Sequence, residues 1–374
     1  MWQKFRFFLV ATSFVIAFAA RGESLSYAGL ADVRGPFEHV DRMGHAFYML
    51  KLGDAGRLPV YAYWSSEAGI ASKSLGHGWC IPLLESRIYP VSSTCLRLRL
   101  PDGYVRHFHR QKDGSYSGGR FWSATEDGHT TRVIADSGDG FPRTVLSFVR
   151  GRLARMECEE GTFEFKEDTT GLSIVSKGRK LLTVAADSGN PDVVTVRLGG
   201  TRIRAEKRPA TVFFAPGEED SRPVKGEAKA LSSLEFSSGE RHAFEYGGDG
   251  SRASFTADGL RIEWSPDTRK VLAADGFDFE IGAVPSDGVS GPSIARIDPA
   301  GAREAYSHEV GKGLITVESS NGVKTVSRLF TSGDNAGKLR WRERYSYGVL
   351  EERVDFIYDK AGKIVDRIVR RERK

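Results

Sequence analysis

The sequence predicts an all-β fold of antiparallel, hairpin-rich sheet, and three observations carry that prediction. Apolar and polar residues alternate at period 2 along most of the chain, the pattern of strands with one buried face. Glycine-bearing turn sequences separate these runs, where the positive φ that glycine permits closes a tight hairpin. Beyond the N-terminal segment no long run repeats at helical period. The 374 residues, 40% of them hydrophobic, suffice for a buried core in one large all-β domain or two ordinary ones. With 6 Trp, 12 Tyr and 22 Phe and no G-x-y period, the chain is neither disordered nor collagen-like. Three Cys are too few for a disulfide-stapled mini-protein.

Taken in order, residues 1–22 read as a secretory signal peptide. Lys4 and Arg6 precede the uncharged run FFLVATSFVIAFAA, and Ala20-Arg21-Gly22 sets small residues for cleavage before Glu23; Ala17-Phe18-Ala19 offers a second site. The run is short for a bilayer span of about 20 residues, and no later apolar run is long enough, so no membrane span is expected after cleavage. Cleavage removes three cations and no acid, taking the net charge from +5 to +2. The basic balance therefore gives no argument for an anionic partner, and nucleic acid is not expected.

Two regions of sheet follow, 23–215 and 226–374. Leu96, Leu98 and Leu100 alternate with arginines up to Pro101-Asp102-Gly103, and Val105 and Phe108 return. Val194, Val196 and Leu198 reach Gly199-Gly200, with Ile203 beyond. Leu234 and Phe236 turn at 237–240 into His242, Phe244 and Tyr246; Ile315 and Val317 lead to Asn321-Gly322. A short helix is expected near 228–234. The polar segments 215–225 (APGEEDSRPVK) and 283–302 read as loops, and the first is taken as the boundary between the regions. Cys80 and Cys95 lie 15 apart and could pair in an exported chain, leaving Cys158 over; three free thiols are the other reading.

Aromatic-x-aromatic pairs recur at Tyr61/Tyr63, Phe163/Phe165, Phe244/Tyr246, Phe277/Phe279, Tyr345/Tyr347 and Phe356/Tyr358. Positions i and i+2 of a strand share a face, so each pair lays two rings side by side. The last continues as Phe356-Ile357-Tyr358-Asp359-Lys360-Ala361-Gly362-Lys363-Ile364, which resembles the tyrosine–aspartate (YD) repeat of RHS proteins. Leu58-Pro59-Val60, Leu75-Gly76-His77-Gly78-Trp79, Leu98-Arg99-Leu100-Pro101-Asp102-Gly103 and Gly114-Ser115-Tyr116 occur in the order of the segment that opens RHS repeat regions. The resemblance covers residues 58–165 and the last 30, and the middle by pattern. It implies a twisted or partly coiled RHS-like sheet. Long RHS chains enclose a toxic C-terminal domain; only a basic tail (365–374) follows Ile364 here, so toxin delivery is not carried over.

The expected function is thus an exported scaffold or binding protein of the cell surface or periplasm, with no catalytic residues and no cofactor assigned. Carbohydrate or a cell-envelope polymer is the expected partner, with Tyr116, Trp122 and Trp264 as rings for sugar stacking. The alternative is a secreted metal-dependent or carboxylate hydrolase. His107 and His109 would share a strand face as metal ligands, with a third from Glu157, Glu159 or His129. The same pattern fits two solvent-facing histidines flanking a buried Phe108. Glu157, Glu159 and Glu160 raise an acid/base pair, against which stands a solvated acidic face. His77 between two glycines could serve as a base, but no nucleophile elbow accompanies it. The basic C-terminal end reads as protection of an edge strand.

Overall fold

The computed structural model describes residues 39–371, apart from 41–43, 67–70, 73–74, 100–104, 119–121, 136–142, 159, 170, 215–223, 250, 266–269, 275, 283–291, 310–311, 331–337 and 361–363. The chain is all-β and antiparallel. The signal-peptide pattern and the Pro101-Asp102-Gly103 turn lie outside the described residues, although Arg99 and Val105 on either side of that turn do pair.

From Arg87 to Ala274 each strand bonds to the next in sequence, a single run of hairpins. Its first eight strands, Arg87–Ser92 through Arg152–Cys158, close on themselves: Arg152 pairs with Arg87, and the Ile88 amide donates to the Gly151 carbonyl at 2.9 Å. Eight strands leave an interior just wide enough for side chains. The alternation supplies them. Leu96, Leu98 and Phe108 are buried, while His107 and His109 point outward. Tyr116, Trp122, Val133, Leu146, Phe148 and Met156 complete this filling, with Phe108 edge-on to Trp122.

The sheet branches at Arg152–Cys158. Its start closes the barrel, while Arg155 to Cys158 pair with the following strand Gly161–Asp168. From there the sheet runs on to Lys270–Ala274. A separate three-stranded sheet of Phe47–Ala55, Leu58–Ser65 and Trp79–Cys80 lies on this continuation. Its inward Leu58, Val60, Ala62 and Trp64 join the main core. Its other face gathers Phe47, Tyr63 and Cys80 into a small cluster. Rings make the junction: Trp64 stacks on Phe255 with centroids 4.1 Å apart, and Trp79 lies 4.6 Å from Phe244.

The last eight strands, Asp278–Ile281 to Ile364–Arg371, form a second sheet. Most of its side chains are half-buried, and those of the last strand are all exposed. Charge pairs knit it across strands. Arg353 reaches Glu343 at 2.8 Å and Asp355 at 3.0 Å, and its guanidinium lies 4.9 Å over the Trp341 ring.

Several expectations are corrected here. Residues 228–234 are not helical; they belong to the strand Val224–Phe236, half of the longest hairpin. The register shifts between Glu206 and Lys207, where Ser232 is left unpaired in the ladder, and Ala230, Leu231 and Leu234 on either side of this bulge are fully buried against the sheet. Among the described residues the short helix that does form is Pro82–Glu85, where proline occupies the first turn. The polar segment 215–223 lies outside the described residues, and the strands on either side pair with each other, Phe214 against Val224. Within 283–302 the strand Ile294–Ile297 forms, its Ile294 and Ala295 buried. None of the three cysteines forms a disulfide, so the Cys80–Cys95 pairing is not made, and Cys80 is fully buried. Tyr345 and Tyr347 do not share a strand: Tyr347 and Gly348 are the two turn residues, with φ of 49° and 82°.

Candidate functional site

A concave polar place on the long sheet lies beside the Gly76-His77-Gly78 segment. Both glycines are in the left-handed region, at φ 94° and 75°. A Cβ at Gly76 would stand 2.6 Å from the Lys229 carbonyl oxygen, and one at Gly78 would stand 3.0 Å from Trp64 Nε1. Glycine is required here because the backbone passes tightly between a strand and an indole. This delivers His77 to a cleft shared with Ser65, Thr211, Phe213, Tyr246, Ser254 and Trp264.

His77 is half-buried, and its Nε2–H donates to the Phe213 carbonyl at 3.3 Å. Burial holds the imidazole below its ordinary titration range, with the bond to Phe213 acting the other way. Tyr246 beside it is locked. Its hydroxyl accepts from Trp79 Nε1 at 2.6 Å and donates to the Leu231 carbonyl at 2.5 Å. Burial pushes that hydroxyl far above the ordinary tyrosine range, so it is not an acid at accessible pH. The cleft has free space of about 20 Å³, room for one water molecule and not for a sugar ring. A neutral imidazole, hydroxyls and one water can hydrogen-bond and fix the local structure.

The expected metal ligands are placed otherwise. His107 and His109 are exposed on Val105–Arg110, and Phe108 between them is fully buried. Arg97 Nε donates to His107 Nε2 at 3.0 Å, which occupies the lone pair a metal would need and sets a cation against it. His129 is an exposed turn residue. Glu157 pairs with Arg155 at 3.0 Å, and Glu159 lies outside the described residues. Among the described residues no three or more His, Cys, Asp or Glu side chains gather as a metal site. A larger cleft at the barrel seam does hold carboxylates, but with partners: Glu85 faces Arg87 at 3.9 Å, Glu167 pairs with Arg152, and Asp168 accepts from the Gly171 amide at 3.2 Å.

The rings expected to stack on sugar are core residues. Tyr116, Trp122 and Trp264 are 5%, 6% and 8% exposed. Tyr116 and Trp122 fill the barrel, and Trp264 stands edge-on to Trp64 at 5.2 Å. A sugar needs an open ring face, and packing has used these.

No family model and no curated protein matches the chain.

One cluster escaped the sequence reading. His242 Nδ1 lies 2.7 Å from Asp258 Oδ2, and its Nε2 lies 2.9 Å from Glu240 Oε1. Glu240-x-His242 was legible as a same-face pair, but Asp258 comes from the next turn, and only the fold places it there.

Proposed function

We propose that the chain is an exported, RHS-like β-sheet scaffold or binding protein that works at the cell surface or in the periplasm without catalysis. The observation that carries this reading is the unbroken run of neighbour-to-neighbour hairpins from Arg87 to Ala274, closed in its first eight strands where Arg152 pairs with Arg87. Such a sheet offers a large, rigid surface. The signal-like N-terminus supports export. The ordered motifs between Leu58 and Tyr116, and the YD-like unit at Phe356–Ile364, support the RHS likeness. His77, Tyr246, Glu85, Glu167 and Asp168 in its clefts each have a hydrogen-bond or ion-pair partner, which supports a structural role for them. Carbohydrate or envelope polymer remains the proposed partner, met by exposed sheet surface and not by Tyr116, Trp122 and Trp264.

The test has two arms. The chain is expressed with its N-terminus in a bacterial host, and the exported form should begin at Glu23 by mass spectrometry. The purified exported form is then assayed on envelope polysaccharides and esters. Retention of the N-terminus in the cytoplasm removes the location. Hydrolysis abolished by His77→Ala, with folding intact, replaces the scaffold by an enzyme.

A further inference from the structure

We infer that His242, held between two carboxylates, is a pH-operated clamp that fastens the N-terminal strand Phe47–Ala55 to the long sheet while its imidazole is doubly protonated.

The geometry of the ring carries the argument. Both nitrogens lie at hydrogen-bonding distance from carboxylate oxygens, Asp258 Oδ2 at 2.7 Å and Glu240 Oε1 at 2.9 Å. An ionised carboxylate only accepts, so both nitrogens must donate, and only the imidazolium has two N–H groups. A neutral ring would turn one lone pair toward an anionic oxygen. The His242 side chain is 15% exposed, with Asp258 36% and Glu240 61% exposed beside it.

Asp258 connects the clamp to the N-terminus. It sits at φ 50° in the turn after Ala253–Ala257, where its Oδ1 accepts from the Ala243 amide at 3.3 Å. Its Oδ2, the oxygen that faces His242, also accepts from the Tyr48 hydroxyl at 3.2 Å. The Tyr48 ring continues inward to Phe255 at 5.7 Å and to Trp79 and Phe244, both at 6.3 Å. One carboxylate thus joins the histidine to the first strand of the three-stranded sheet.

The groups packed around the ring come from several elements. Glu240 belongs to its own hairpin and meets its Nε2, while Arg241 and Glu235 stand opposite each other on the other face of the sheet. Asp258 comes from the next hairpin; Tyr48 comes from the N-terminal strand, with His39 stacked on it at 6.4 Å. Phe236 meets the ring edge-on at 5.7 Å. Burial by itself lowers the His242 pKa, but hydrogen bonds and charge from Asp258 and Glu240 outweigh it, and the net direction is upward from 6.5. The Tyr48 hydroxyl is pushed up to about 12, by burial first and then by the Asp258 charge, so it remains a donor throughout. A raised histidine pKa stabilises the folded state fully below the unfolded value of 6.5. That contribution is lost as pH rises through the folded value.

The experiment is an NMR titration of the His242 ring in the full exported chain, with amide hydrogen exchange of residues 47–55 corrected for intrinsic rate. The expected result is a His242 pKa above 6.5 and a loss of protection in 47–55 as pH rises past it. In Asp258→Asn, which keeps an acceptor for Tyr48 but no charge, the titration should shift downward and the pH-dependent loss should vanish. Glu240→Gln, at an exposed position, should lower the titration with the fold intact. A wild-type pKa at or below 6.5 overturns the proposal. So does protection in 47–55 that varies with pH as strongly in the variants as in the wild type. If Asp258→Asn fails to fold, the wild-type titration and Glu240→Gln decide.

Discussion

Phe255 should be the most costly single ring to remove. It is fully buried, stacked on Trp64 at 4.1 Å, and surrounded by Tyr48, Trp79, Phe244 and Tyr246 at 5.6–6.2 Å. It therefore joins the three-stranded sheet to the long one. Burying and packing a Phe side chain is worth about 3–5 kcal/mol against Ala. Because its neighbours are rigid rings that cannot collapse into the space, Phe255→Ala should fall near the upper end, about 4–5 kcal/mol. Phe255→Leu keeps most of the volume and loses chiefly ring–ring terms of about 0.5–1.5 kcal/mol each, so a cost of about 2 kcal/mol is expected. With an unfolding entropy of about 2.1 cal/mol/K per residue over roughly 300 ordered residues, Phe255→Ala lowers Tm by about 7 °C. The assay is urea unfolding followed by tryptophan fluorescence, which Trp64 and Trp79 report directly. A loss below about 1 kcal/mol, the range of an ordinary surface change, would refute the junction.

Three further outcomes are expected. Tyr347→Asn should raise stability by about 0.5–1 kcal/mol in urea unfolding, because Tyr347 holds φ 49° in a two-residue turn that favours Asn-Gly. Gly171→Ala should cost about 2–4 kcal/mol by the same measurement, since its φ is 140° and a Cβ would collide with the Val184 carbonyl. Cys158, whose thiol is pushed up to about 12 by burial first and then by Glu160, should react with iodoacetamide at pH 8 about a thousandfold more slowly than an ordinary thiol, read by peptide mass spectrometry. Labelling at an ordinary rate would show the thiolate to be accessible.

Local alternation was enough to predict the all-β class. Leu96-Arg97-Leu98 and His107-Phe108-His109 reveal their buried and exposed members because successive strand residues point to opposite faces. The turns at Gly199-Gly200, Gly239 and Asn321-Gly322 were legible for a similar reason, since positive φ is a property of one or two residues. The helix expected at 228–234 was misread because short apolar runs carry little period, and pairing along the whole hairpin from Ile203 to Phe236 decides them. Which aromatics stay open was equally illegible: Tyr116, Trp122 and Trp264 look like Tyr347 in sequence, yet three are core and the last is 82% exposed.

By itself, then, the sequence determined the period and the turns, both set by neighbours a few residues apart. Only the tertiary structure decided that Arg152 meets Arg87 to close a barrel, that Gly76 and Gly78 carry His77 into a one-water cleft, and that Asp258 meets both His242 and Tyr48. Those contacts join residues as much as 210 positions apart. Such contacts come from how strands stack in space, which period 2 does not encode.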